Sequence, residues 1–137
     1  MFLGIFATMM PALDYLESHT QGIGLTGPGG YYWLTGPLSV FLENVPTYLA
    51  ILSAAIGSTG SDIAGILHSS PLIIVAISLG AVFFGAASYI GNGPNFMVKS
   101  IAEQAGLRCP SFFDYMTRTS VPILGPIFAV VWLLFLR

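Results

Sequence analysis

Charged side chains are scarce in this sequence. Only 7% of its 137 residues are Asp, Glu, Lys or Arg, whereas 55% are hydrophobic, and the mean hydropathy is +0.82. A soluble domain carries about 25% charged residues, because charges cover the surface that faces water. The composition therefore predicts a membrane protein whose principal partner is the lipid bilayer.

Several reactive groups are missing as well. Cys109 is the only cysteine, which excludes an internal disulfide and a cysteine-based metal cluster. The four basic residues and the net charge of −2 provide no polybasic patch, so we do not expect nucleic acid as a partner. The sequence also shows no Ser/His/Asp set, metal-ligand cluster or phosphate-binding loop. We therefore expect neither an enzyme nor a bound cofactor.

The hydrophobic residues fall into four segments, at 1–16, 31–57, 71–98 and 112–136. None shows the alternation of β-strands, so we expect an all-α membrane protein that forms a single transmembrane domain. The first segment has 13 residues before Asp14, against the ~20 that cross a bilayer. It also lacks the basic region of a signal peptide. We expect it to be part of a transmembrane helix whose beginning is missing.

The few basic residues indicate a topology. Lys99 and Arg108 lie between the third and fourth segments, which places this link in the cytoplasm by the positive-inside rule. The links at 17–30 and 57–70 have no Lys or Arg, so both are predicted to be external. Segment 31–57 must then enter and leave by the same face, as a re-entrant hairpin with its tip at the ENVP sequence. We expect about three transmembrane helices besides, in a multi-pass protein of the inner (plasma) membrane.

Two helix-breaking units share one pattern. NVPTYLA (44–50) and NGPNFMV (92–98) both contain Asn-x-Pro, a polar residue, an aromatic residue and two aliphatic residues. Proline lacks an amide hydrogen and clashes with the carbonyl one turn earlier, so a unit of this kind leaves backbone carbonyls unpaired. In hydrocarbon each unpaired group costs several kcal/mol, and such breaks persist only inside protein or beside water. The third segment is therefore predicted to be a transmembrane helix that is broken within the membrane.

A plainer interpretation exists for the second unit. The 19 residues at 72–90 would span about 28 Å as a helix, which fills a bilayer, so GNGPN could be an ordinary turn at the interface. The copy at 44–50 lies inside a hydrophobic segment, and this position favours a binding site over a turn.

The predicted site combines hard oxygen ligands with helix ends. Amide and hydroxyl oxygens suit a small cation such as Na⁺, while half-helices that begin at the two prolines present positive dipole ends that favour an anion. Glu43 is the one carboxylate within a hydrophobic segment and is a functional candidate for that reason; the alternative is a carboxylate that is neutralised by a neighbour or reaches water. The predicted site residues are Glu43, Asn44, Pro46, Thr47, Ser88, Asn92, Pro94 and Asn95, with Asn44, Thr47, Asn92 and Asn95 as the Na⁺ ligands.

The same motifs resemble a known group of transporters. WLTGPLSVFLENVPTYLA (33–50) is similar to the TG-x-LS-x-FLDN-x-PTYL stretch of bacterial sodium/proton antiporters and citrate-transporter-like proteins of the ion transporter superfamily. ASYIGNGPNFMVKSIAEQAGLRCPSFFDYM (87–116) resembles the block that follows in that family, and LGIFATMMPAL (3–13) resembles the helix before it. One position departs from the pattern, because Glu43 stands where the family usually has Asp.

The resemblance implies a function and a partner. Members of this family have two inverted repeats, each with a re-entrant hairpin and a broken helix. This sequence matches the second repeat only. We therefore expect the C-terminal part of a cation-coupled secondary transporter, in the first place a sodium/proton antiporter that exchanges Na⁺ for H⁺. Its expected partner is the missing N-terminal repeat of the same transporter. A citrate or other carboxylate transporter, a small non-transporting membrane subunit and a gene remnant are the alternatives, and homodimerisation is left open.

Overall fold

The described part of the chain is helical throughout. The computed structural model describes residues 27–137, together with 7, 10, 11, 13–15, 18, 19 and 25, and no strand occurs among them. The predicted all-α class is confirmed. The predicted partial helix at 1–16 lies largely outside these residues. The elements are α1 (Pro28–Phe41), α2 (Asn44–Thr59), α3 (Ile63–Ser69), α4 (Pro71–Gly85), α5 (Gly93–Gln104), α6 (Phe112–Tyr115), a π-helical turn (Met116–Ser120) and α7 (Val121–Phe135).

Helices α1 and α2 form a hairpin. The Tyr31 hydroxyl, near the start of α1, lies 2.9 Å from the Ser58 hydroxyl near the end of α2, so the chain doubles back at residues 42–43. With 14 residues, α1 is about 21 Å long, shorter than the ~30 Å hydrocarbon core. Helix α1 is therefore too short to cross the bilayer by itself, and the re-entrant character of the hairpin stays a prediction. The turn includes Glu43, the first residue of the predicted ENVP tip, while residues 44–46 already belong to α2.

The predicted external link at 57–70 is largely helical. Gly60 ends α2 in the left-handed region, with φ of 63°, which glycine adopts without strain. The Asp62 carboxylate then accepts from the Gly65 amide at 2.8 Å and caps α3. Helix α3 leaves α2 at an angle of 76°. The two helices therefore make one bent apolar unit.

Helix α4 packs closely along α1. A methyl group on Gly36 would lie 2.8 Å from the Phe84 ring, and one on Gly80 would lie 3.0 Å from the Tyr32 carbonyl oxygen. Small residues at both positions therefore permit the close approach of the two helices. Phe84 also stacks on Phe128 of α7 with ring centroids 4.0 Å apart. Helix α4 therefore lies against both the α1 arm of the hairpin and α7.

The third hydrophobic segment breaks earlier than either interpretation of the sequence requires. Helix α4 ends at Gly85, so the uninterrupted helix through residue 90 does not form. The amides of Ala86 and Ala87 bond to carbonyls three residues earlier, at 3.2 and 2.9 Å, which tightens the last turn. The chain then runs irregularly until α5 begins at Gly93.

The fourth segment is one long apolar helix. Residues Phe112–Phe135 run continuously for 24 residues, and this is the helix that is long and apolar enough to cross a membrane within the described part of the chain. It contains the π-helical turn just before Pro122. A proline ring collides with the carbonyl four residues earlier in an α-helix, and a wider π turn relieves that collision.

Gly91 tests how closely the broken segment approaches the hairpin. A methyl group there would overlap the carbonyl oxygens of Ser39 and Val40, whereas one on Gly125 would meet nothing within 4 Å. We expect Gly91→Ala to destabilise the protein by about 1–3 kcal/mol, the usual effect of overpacking. Gly125→Ala is the control and should leave stability unchanged or raise it, since alanine is the better helix former. Thermal unfolding in detergent, followed by circular dichroism, measures both, and equal melting temperatures for Gly91→Ala and the parent would contradict this packing.

Candidate functional site

The two helix breaks meet at one open cleft. Although the equivalent residues Asn44 and Asn92 are 48 positions apart in the sequence, the turn at residues 42–43 and the irregular stretch before α5 border a shared space of about 220 Å³. The first break contributes three of the lining residues and the second contributes four. The lining residues are Glu43, Asn44, Val45, Gly91, Asn92, Gly93 and Pro94.

A serine hydroxyl joins the breaks. Ser88 is fully buried, and its Oγ donates to the Val40 carbonyl of α1 at 2.5 Å. The same oxygen accepts from the amides of Ile90 and Gly91 at 3.1 and 2.8 Å. In an uninterrupted helix the Val40 carbonyl would pair with the amide four residues later. Ser88 therefore replaces a hydrogen bond that the first break removes and orders the second break at the same time.

Asn44 makes a second bridge between the breaks. With its nitrogen facing inward, the amide donates to the carbonyls of Ala81 and Gly91 at 2.9 and 3.0 Å and approaches the Ser39 hydroxyl at 3.1 Å. This orientation follows from Ser39, whose single hydroxyl hydrogen goes to the Ala81 carbonyl at 2.5 Å and leaves the Ser39 oxygen to accept. The amide oxygen of Asn44 takes part in none of these bonds. The side chain is fixed through its nitrogen.

Two helix N-termini border the cleft. Helices α2 and α5 begin at Asn44 and Gly93, and neither Glu43 nor Asn92 caps its helix with a side-chain hydrogen bond. Uncapped amides at a helix start carry a partial positive charge and favour an anion. The predicted helix starts at Pro46 and Pro94 are therefore late by two residues and one residue. Both prolines lie in the first turn, where the missing amide hydrogen has no intrahelical partner to lose.

Glu43 reaches across the cleft from the first break to the second. Its Oε1 lies 3.3 Å from the position that a β-carbon on Gly93 would occupy. In the described part of the chain no ion pair involves Glu43; the two that occur join Lys99 to Glu103 and Arg118 to Asp114. The cleft thus places a carboxylate beside two partially positive helix ends.

Some predicted site residues lie elsewhere. Thr47 is buried, and its hydroxyl donates to the Glu43 carbonyl at 2.9 Å, as threonine does within helices. Asn95 lines a separate cavity, and Pro46 and Ser88 are not among the cleft residues. Ser88 instead joins the two breaks through the hydrogen bonds of its hydroxyl. Of the four predicted Na⁺ ligands, the structure brings together Asn44 and Asn92. The described residues contain no group of three or more His, Cys, Asp or Glu side chains that could hold a metal ion.

Sequence reasoning did not assign three of the important residues. Ser39 supports Asn44, Gly85 leaves room for the Asn44 side chain, and Gly91 lies against α1. The serine spacing gives no indication of a partner 42 residues away. Glycines beside the second Asn-x-Pro unit are the one available signal, since glycine marks close backbone approach.

The two asparagines are expected to behave differently on mutation. Asn44→Ala removes the bridge between the breaks and leaves carbonyls without their donor, so we expect the free energy of unfolding to fall by about 1–3 kcal/mol. Asn92→Ala is the matched variant. It removes an amide that lines the cleft, and stability should change by no more than about 0.5 kcal/mol. Denaturant unfolding in mild detergent measures the difference, and a larger loss for Asn92→Ala would show that the bridge is misassigned.

One comparison with known proteins gives a match over almost the whole chain. No curated protein and no solved structure matches it. A family model described as "Putative citrate transport" matches residues 1–136. This confirms the citrate-transporter-like part of the resemblance, while the sodium/proton antiporter assignment stays a prediction. The chain belongs to this citrate-transport family of membrane transporters.

Proposed function

We propose that this chain provides one half of a cation-coupled secondary transporter for citrate or a related small carboxylate. The observation that carries the proposal is the convergence of both helix breaks on one cleft, where Glu43 lies beside the uncapped starts of α2 and α5. Broken helices with their N-termini at a common site are how many secondary transporters bind anions and coupling ions.

The cleft carries groups suited to ligands of both signs. The helix starts favour a carboxylate group of the substrate. The Glu43 carboxylate has no ion-pair partner among the described residues and would repel such a substrate when it is ionised. A proton on Glu43, or a cation such as Na⁺ between Glu43 and the substrate, removes the repulsion. Substrate binding and cation binding would then favour each other, which is the requirement for coupled transport.

Sodium/proton exchange is the second candidate, and Glu43 is the observation that favours it. A carboxylate next to a Na⁺ site can bind either the cation or a proton, because each neutralises the same negative charge, and this competition is what exchange requires. The amide oxygens of Asn44 and Asn92 would supply neutral ligands. This candidate needs no carboxylate substrate and thus makes a different experimental prediction.

The remaining wall of the site would come from a first repeat. The cleft is open, and an inverted-repeat transporter builds its site where the two repeats meet. We therefore propose that the N-terminal repeat of the same transporter is the partner of this chain, in the inner (plasma) membrane. The re-entrant hairpin of α1 and α2 would hold Glu43 within the membrane.

Transport by the complete transporter, with both repeats in sealed vesicles, tests the role of Glu43. We expect uptake of radiolabelled citrate that depends on a Na⁺ or proton gradient. Glu43→Gln should reduce the stimulation by that gradient about tenfold or more, which is the scale of a lost charged interaction. Glu43→Asp should retain coupling, because it keeps the carboxylate. Asp62→Asn is the control, because Asp62 caps α3 away from the cleft and asparagine caps equally well.

Two results would change the assignment. Na⁺-driven pH changes in vesicles without any carboxylate, together with no citrate uptake, would favour sodium/proton exchange. Gradient-dependent citrate uptake that is identical in Glu43→Gln and the parent would contradict a coupling role for Glu43 and move that role outside this chain.

A further inference from the structure

A second cavity lies beside the cleft, between α5 and the start of the long apolar helix. Its volume is about 310 Å³, and its walls include Tyr89, Asn95, Lys99, Cys109 and Tyr115. This volume is at the lower end of the range for small-molecule sites. The cavity shares no lining residue with the cleft, and neither the family assignment nor the proposed function uses it.

Lys99 is the only lysine in the sequence, and two neighbours hold its ammonium group in place. Nζ lies 4.9 Å from the centre of the Tyr89 ring and 2.6 Å from the Glu103 carboxylate. The hydrogen bond to Glu103 raises the pKa of Lys99 above its ordinary value, so the side chain is charged at neutral pH. A fixed cation above an aromatic wall is suited to an anion that has a carbon skeleton.

The position of the cavity relates it to the cleft. Asn92 lines the cleft and precedes α5, while Asn95, in the first turn of α5, lines the cavity. Lys99 follows Asn95 by four residues, which places both on one face of the helix. An anion that followed this face would pass from the cleft at the helix start to the lysine about two turns farther on.

We infer that this cavity is a second binding site for a small organic carboxylate, through which the substrate passes between the cleft and the membrane surface at α5. The inference rests on the proposed carboxylate transport for the identity of the ligand. Lys99 would bind a carboxylate group of the ligand, Asn95 would donate a further hydrogen bond through its amide, and the two tyrosine rings would contact the carbon atoms. Because Glu103 competes for Lys99, binding is weak, as a transit site requires.

Cys109 provides a reporter of occupancy. It is the single cysteine, it is partly exposed, and its Sγ lies 3.9 Å from the Lys99 carbonyl oxygen on the cavity wall. The experiment measures the rate at which N-ethylmaleimide alkylates Cys109 in the purified chain in detergent. Citrate is added at constant ionic strength, and we expect it to slow alkylation in a saturable manner.

Variants of the ion pair make the test specific. Lys99→Gln should raise the half-protecting citrate concentration about tenfold or more, the scale of a lost charged hydrogen bond, and Lys99→Arg should retain protection. Glu103→Gln should lower that concentration about two- to fivefold, since it removes a competitor of modest strength. Asp114→Asn is the matched control, because it breaks the other i,i+4 ion pair, with Arg118, and neither Asp114 nor Arg118 lines the cavity. It should change nothing.

Several results would overturn the site. The first is that citrate protects Cys109 in neither the parent nor Glu103→Gln. The second is that Lys99→Gln folds normally and leaves the protection unchanged. The third is that inorganic phosphate protects Cys109 equally well, which would indicate a general phosphate or lipid-headgroup site. The assay needs no transport, so the two proposals fail separately. Citrate protection of Cys109 without citrate transport by the complete protein would count against the proposed function alone, and transport without protection would count against this cavity alone.

Discussion

The Val40 carbonyl is the group on which this arrangement depends. The first break removes the helical partner of that carbonyl, and in a membrane an unpaired carbonyl costs several kcal/mol. The buried Ser88 hydroxyl supplies the missing donor from 48 residues away and uses its own lone pairs to fix the amides of Ile90 and Gly91. Each break is therefore stabilised by the other. Without the other break, the hairpin turn and the irregular stretch before α5 would each leave backbone groups without a hydrogen-bond partner.

This mutual pairing explains the composition around the breaks. Gly91 must lack a side chain because it lies against the carbonyls at the end of α1, and Gly85 leaves space for the Asn44 amide. The Asn44 nitrogen and the Ser88 hydroxyl hold the backbone, while the Asn44 amide oxygen takes no part in these bonds. The helix starts at Asn44 and Gly93 keep their uncapped amides. The polar groups that hold the backbone in place are therefore not the groups that remain free to bind a ligand, although both kinds lie at one cleft.

Much of the helical pattern could be predicted from the sequence, because hydrophobic segments and glycine or proline breaks are local signals. The broken third segment and the long fourth helix follow from such signals, whereas the hairpin at 31–57 follows from the lack of Lys and Arg in the links on either side of it. The π-helical turn before Pro122 and the early end of α4 do not, since they depend on how one turn accommodates its neighbours. For the site, the repeated Asn-x-Pro units single out residues near 44 and 92, and the structure brings these residues to one cleft; their role in binding stays a prediction.

The roles of individual site residues could not be predicted in the same way. Asn44 and Asn92 occupy equivalent positions in the two units, yet Asn44 bridges the breaks through its nitrogen while Asn92 lines the cleft. Thr47 follows the proline of the first unit and Asn95 that of the second. The Thr47 hydroxyl nevertheless bonds to the Glu43 carbonyl at the start of its own helix, whereas Asn95 lines another cavity. The sequence repeat is translational, whereas the two breaks face each other in space. Equivalent positions therefore have unlike surroundings.

The convergence of the two breaks is the central claim, and a crosslink between them tests it most directly. In a Cys109→Ser background, Glu43→Cys and Gly93→Cys place thiols on opposite sides of the cleft. A pair of Asp62→Cys and Gly93→Cys is the control, because α2 holds Asp62 about 24 Å from the first break. A short bifunctional maleimide should link residues 43 and 93 efficiently within one chain and should not link 62 and 93. Equal or absent crosslinking in the two pairs would contradict a shared cleft.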